Sequence, residues 1–110
     1  MESISLTGLV DEQLDVARAA HSGRAAHTVH GGHDHVLRQT VIALAAGHEL
    51  GEHDSPGEAT LQVLRGHVRL KVGDDSYEGS TGDYLVIPPL RHALLAVEDS
   101  AVMLTVLSDR

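Results

Sequence analysis

Nine of the 110 residues are histidine and none is cysteine, so any chemistry done by this chain must come from imidazole, carboxylate, hydroxyl and amide groups. Thiolate metal sites, thiol nucleophiles and disulfides are excluded. A bound metal would need imidazole and oxygen donors. His21, His27, His30, His33 and His67 sit among polar or loop-like residues, where a solvated ring is the default. Neutral histidines that are buried would make the fold acid-sensitive, because they must charge as pH falls. Ser55 lies two residues from His53, but a serine nucleophile needs a base, an orienting group and an oxyanion hole, and that spacing supplies none of them. There is no Gly-x-Ser-x-Gly elbow, no phosphate-binding glycine loop and no dinucleotide fingerprint. Glu98-Asp99 reads as a solvated turn.

The elements that must position these side chains are legible from periodicity. Leu6, Val10, Leu14 and Ala17 recur at helical spacing and Gly23 follows, which predicts one amphipathic helix near residues 8–21, with Asp11 and Glu12 in its first turn. From Ala25 onward the period becomes two. Short strands are predicted at 27–30, 35–46, 59–64, 67–72, 83–87, 92–97 and 101–107, separated by glycine, proline and acidic turns, including turns at 73–75 and 79–82. The alternation over 67–72 is the clearest: Val68, Leu70 and Val72 face one way, His67, Arg69 and Lys71 the other. No helix fits between these strands, which points to a sandwich or barrel rather than to parallel βαβ units. Without Phe or Trp, and with two tyrosines, Tyr77 and Tyr84, the core must be aliphatic. In the strand at 35–46, Arg38 and Gln39 interrupt an apolar run, so one of them is expected to face an interior or an interface.

The size suits one domain with one pocket. A formal charge of -8 repels phosphate backbones, so no nucleic-acid partner is expected. Glu2 stands where a targeting segment would be basic, and no apolar run approaches the ~20 residues that cross a bilayer. A soluble, cytoplasmic protein with no membrane partner is the expectation.

Gly47 to Gly66, GHELGEHDSPGEATLQVLRG, resembles the first motif of the cupin superfamily, G-x5-H-x-H-x3-E-x6-G. Gly82-Asp83-Tyr84-Leu85-Val86-Ile87-Pro88 resembles the opening of the second, G-x5-P-x-G-x2-H, with His92 near its histidine position. Fifteen residues lie between the two motifs, a spacer at the compact end for small cupins. The resemblance covers about residues 25–107. It implies an all-β fold, the RmlC-like double-stranded β-helix or jelly-roll barrel, with residues 1–24 as an N-terminal helical extension and 25–110 as the barrel domain.

In metal-binding cupins two histidines and a glutamate of the first motif join the histidine of the second. Here Ser55 stands at the second histidine position and Ala59 at the glutamate position, while Leu90 replaces a glycine and His92 arrives one residue early. His53 and His92 are what the resemblance leaves as metal ligands, for a divalent ion such as Zn, Fe, Mn or Ni. Glu58 adjoins the empty glutamate position but should point away from the side Ala59 faces. His48, His35 and Gln39 are candidate replacement donors. Ser55, Ala59, Tyr84 and Gln39 are the candidate ligand-binding residues, and Arg91 could attract an anion. Two readings stay open: a pocket that binds a small molecule without established catalysis, and a metal-dependent oxygenase or isomerase built on two imidazoles. The resemblance also implies a homodimer formed through sheet faces or exchanged N-terminal segments, a role that the helix and the 25–30 strand suit.

Overall fold

The computed structural model describes residues 3–53 and 57–107, His53 by its backbone alone. Among the described residues one helix, α1 (Leu6–Ala19), precedes nine strands: β1 (Arg24–His30), β2 (Leu37–Leu44), β3 (Glu49–His53), β4 (Ala59–Arg65), β5 (His67–Val72), β6 (Asp75–Ser80), β7 (Tyr84–Ile87), β8 (His92–Ala96) and β9 (Ser100–Leu107). They form two antiparallel sheets, ordered β1-β2-β9-β4-β7 and β3-β8-β5-β6. Alternate side chains of both sheets, among them Leu44, Leu61 and Val102 from one and Val68, Leu70 and Leu94 from the other, meet in one aliphatic core. Closing the sheets on each other leaves few open edges and one interior.

The helix begins two residues earlier than its apolar spacing suggests. Ser5 is the N-cap, its hydroxyl accepting from the Gly8 amide at 3.1 Å, so Asp11 and Glu12 fall beyond the first turn. Leu9, Val10, Leu14 and Ala17 are buried while Leu6 is exposed. This stripe packs on the outer face of the five-stranded sheet, against Val41 and Ala43 of β2 and Ala101 and Met103 of β9, making a second core. The central strands β2 and β9 are therefore covered on both faces over part of their length, which is why they read as nearly continuous apolar runs. Asp99 fastens the far end of the helix: Arg18 Nε donates to its Oδ2 at 2.7 Å and the Ala46 amide to its Oδ1 at 2.8 Å. The Arg18 hydrogen bond first, then the Ala46 amide, hold the Asp99 carboxyl below the usual carboxylate value.

The chain crosses from one sheet to the other at Gly66, between β4 and β5. Its φ is +92°, a left-handed conformation that side chains rarely adopt. Thr81 closes the corner from both sides, accepting the Gly66 amide at 3.0 Å through Oγ1 and donating its own amide to the Gly66 carbonyl at 3.1 Å. The buried Ser100 hydroxyl accepts from the His67 amide at 3.0 Å. β6 replaces part of an expected turn: Asp75 to Ser80 pairs with β5 throughout, and the turn lies beyond it.

Candidate functional site

The two histidines singled out by spacing come together. In the antiparallel pair β3·β8, His53 lies in register opposite His92, after a one-residue irregularity between Leu50 and His53. Leu50 and Leu94, directly paired, both line the interior. Strict alternation from Leu50 would have brought Glu52 opposite His92. The extra residue of this bulge substitutes His53, and Glu52 instead meets Arg91 at the surface, 2.9 Å from its Nε.

His92 is buried. Its Nδ1 lies 2.8 Å from the Leu90 carbonyl oxygen. A carbonyl only accepts, so Nδ1 carries the proton and Nε2 is the lone-pair nitrogen of the neutral ring. The ring lines a cavity of about 30 Å³ together with Ile42, Leu50, Leu61, Leu70, Leu94 and Leu104. A water needs about 10–15 Å³ measured this way, so the cavity is sized for roughly two. His92 is the one polar side chain among the described lining residues. The aliphatic lining was missed by motif reasoning, although alternation along β2, β4, β8 and β9 carries it.

The other candidates are placed elsewhere. Ala59 is buried on the interior face of β4, paired with Ile87, and belongs to the core. Gln39 is not at the cavity: it shares a face of β2 with Val41 and Ala43, and its amide donates to Thr105 Oγ1 at 3.3 Å across the outer face. β2 buries apolar residues on both sides, so apolarity alone could not tell which face Gln39 took. Tyr84 is also outward-facing, opposite Gln62 on β4 and 59% exposed. His48 is exposed, and His35 meets His30 edge-on at 4.7 Å between ring centroids, at the exposed tip of the β1·β2 hairpin. Ser55 lies outside the described residues.

As a metal centre the arrangement is thin. A tightly held divalent ion wants three or more protein donors. Among the described residues no three His, Asp or Glu side chains converge on one point, and Ala59 offers no carboxylate. Among the described residues the donors fall short of the three that a tightly bound ion wants.

A second constellation has the connectivity of a nucleophile, a base and an orienting carboxylate. On the outer face of β5 and β6, Ser80 Oγ lies 2.9 Å from His67 Nδ1, and His67 Nε2 lies 2.7 Å from Glu78 Oε1, with Arg69 Nε 2.6 Å from Glu78 Oε2. The neighbouring amides are all spent, however. Ser80 N donates to Asp83, Thr81 N to Gly66, Gly66 N to Thr81 and His67 N to Ser100, so none of these four is left to cradle an oxyanion. The group is a cross-strand network on a solvated face.

That network has a pH signature. The Arg69 hydrogen bond first, then the His67 ring, hold the Glu78 carboxyl below its ordinary value of 4.5. A carboxyl with a depressed value in the fold adds stability above its unfolded value and loses it as pH falls through the folded one. Glu78→Gln should therefore lower stability in the neutral range and flatten its fall below pH 4.5, so that the two proteins converge at acid pH, as read from urea midpoints across pH. A variant whose stability runs parallel to that of the unaltered protein from neutral to acid pH would contradict this.

With this geometry established, the comparisons with known proteins can be set beside it. Residues 40–108 match the family described as Cupin domain. The chain is a cupin. Among solved structures, a conserved protein of unknown function from Streptococcus pyogenes is 26% identical, with TM-score 0.73 over 100% of this chain and 92% of that one. An RmlC-like cupin protein from Desulfovibrio desulfuricans is 25% identical, with TM-score 0.74 over 97% and 96%. A salicylate 1,2-dioxygenase variant from Pseudoaminobacter salicylatoxidans, in complex with gentisate, is 20% identical with TM-score 0.76, over 90% of this chain but 32% of its own. This last likeness speaks for the fold alone. None of the curated proteins matches. The jelly-roll barrel expected from the two motifs is thus the fold of this cupin, and no helix among its described residues is long and apolar enough to cross a membrane.

Proposed function

We propose that this cupin binds a small molecule in its barrel, of about the size of two waters, with its apolar part against the leucines and one polar group directed to His92. The observation that carries this reading is a buried histidine, its Nδ1–H held by the Leu90 carbonyl, in the wall of a cavity otherwise lined, among the described residues, by aliphatic side chains. A pocket of this kind selects by shape and by one polar contact. With Tyr84 on the outer face and no Phe or Trp in the chain, ring stacking plays no part. A thermal-shift screen of small alcohols, lactams and amides tests the reading. A ligand at a hundredfold excess over its Kd should stabilise the protein by about 2.7 kcal/mol, and His92→Leu, which keeps the volume and removes the acceptor, should abolish the shift. If no compound shifts the protein, or if His92→Leu responds equally, the reading falls.

A second reading is favoured by the same ring. Metal-binding histidines usually donate their other nitrogen to a carbonyl or carboxylate, as His92 does, and His53 is in register across from it. On this reading the two imidazoles hold a divalent ion with water completing the shell, in support of oxygenase or isomerase chemistry. Metal analysis of protein purified without chelator discriminates: about one ion per chain, lost in His53→Ala, supports it, while trace metal unaffected by the substitution removes it.

A further inference from the structure

The β1·β2 hairpin carries His27, His30, His33 and His35, with Asp34 between the last two, and all four histidines are exposed. The fold brings two of them together. The pairing of β1 with β2 shifts between Thr28 and His30, so that His30 rather than Val29 stands opposite Gln39. Beyond Gly31 and Gly32 the His35 amide donates to the Gly32 carbonyl at 3.2 Å, closing a turn with His33 and Asp34 at its corner. This returns His35 to His30, with ring centroids 4.7 Å apart and planes inclined by 65°. Gly31 and Gly32 have φ of +140° and +152°, values that side chains rarely adopt, so the return depends on two glycines.

Edge-on ring pairs are ordinary where burial presses them together. Here both rings are exposed, and among the described residues no hydrogen bond or ion pair engages their nitrogens. His67 and His92 differ, their nitrogens being turned to Ser80, Glu78 and Leu90. Metal to imidazole bonds of about 2.0–2.1 Å put each ring centre roughly 3.2 Å from the ion, so two rings at a right angle lie about 4.5 Å apart and two at the tetrahedral angle about 5.2 Å. The observed 4.7 Å falls nearer the right angle, which is the arrangement of square-planar and tetragonal Cu(II) sites.

We propose that this hairpin tip is a Cu(II)-binding site, with His30 and His35 as its two protein ligands. Rotation of the exposed rings about their own side-chain bonds turns a nitrogen of each to the shared ion, and water completes the shell. Among the described residues no third His, Asp or Glu side chain converges with them, so the affinity is modest, and Cu(II) leads the other divalent ions in stability. The charge around the tip favours a cation: Asp34 lies at the corner of the turn, on a chain whose formal charge is -8. Arg38 packs its Cγ 3.1 Å from where a Cβ at Gly31 would stand, but alternation from Gln39 puts it on the opposite face of β2 from His30.

The site is separate from the barrel and stands or falls apart from both readings of it. Its test is Cu(II) alone, added to the full chain stripped of metal, followed by calorimetry and electron paramagnetic resonance. Nitrogen splitting from two imidazoles is expected. His30→Ala and His35→Ala should each raise the dissociation constant about tenfold or more, since losing even the outer partner of a ligand costs about that much. His21→Ala, which removes an exposed ring just past α1, is the control and should change nothing. A second readout needs no substitution: the paramagnetic ion should broaden the amide signals of residues 30–36 before those of β8. Binding that survives both hairpin substitutions overturns the proposal. So does copper that is lost in His92→Leu and kept in His30→Ala, broadening that begins at β8, or no binding at submillimolar Cu(II).

Discussion

Replacing Gly66 with alanine should cost about 3 kcal/mol or more, a large part of the roughly 5–15 kcal/mol that holds a domain of this kind together. Two penalties combine. At φ +92° an alanine bears left-handed strain of about 1–2 kcal/mol. Its Cβ would also stand 2.5 Å from the Asp99 carbonyl oxygen and 2.9 Å from Ser100 Cα, backbone atoms that cannot rotate away, so the corner between the sheets must open. Gly73→Ala is the matched control: its φ is +59°, but nothing lies within 4 Å of the added carbon, so the strain stands alone. Urea unfolding followed by far-UV circular dichroism should rank the two clearly. Equal losses would mean that the β4·β5 corner relaxes freely, contrary to its network of Thr81 and Ser100 hydrogen bonds.

Leu14→Ala should cost about 2–5 kcal/mol, the range for a fully buried leucine that leaves a cavity. Leu14 has no exposed surface and sits between α1 and the central strands. Val16→Ala, one turn-edge away at 54% exposure, should change stability by no more than about 0.5 kcal/mol. The contrast decides whether α1 is part of one cooperative unit or an ornament on the barrel. If the helix were dispensable, Leu14→Ala would behave like Val16→Ala, or a separate early transition would appear in the melting curve.

Much of this architecture is readable in the residue order where one face is buried and the other wet. Val68, Leu70 and Val72 alternate with His67, Arg69 and Lys71, and the strand they form is buried and half-buried in strict turn. The same legibility fails where burial is two-sided or absent. β6 has only Gly79 buried, so nothing periodic announces it, and its glycine reads as a turn although Val63 and Leu85 pack within 3.3 Å of where a Cβ would be. The helix starts two residues before the expected residue 8, at the Leu6 that opens its apolar spacing, because Ser5 caps it there. For the site, the motif spacing singles out His53 and His92 but not that their strands pair them in register, since that depends on a bulge in β3 which no residue type advertises. Gln39 and Tyr84 illustrate the complementary failure: polar or amphipathic residues on strands of a closed barrel have two faces open to them, and the hydrogen bond of Gln39 to Thr105 and the pairing of Tyr84 with Gln62 are tertiary facts.

The bulge in β3 has an evolutionary consequence. Deleting one residue between Leu50 and His53, where a Cβ at Gly51 would meet nothing within 4 Å, would remove the extra residue and keep His53 in register opposite His92. One codon lost would thus straighten the strand while leaving the pairing of positions 53 and 92 and the aliphatic wall as they are. Length at this point of the strand can therefore drift by one residue while the pairing beyond it is kept.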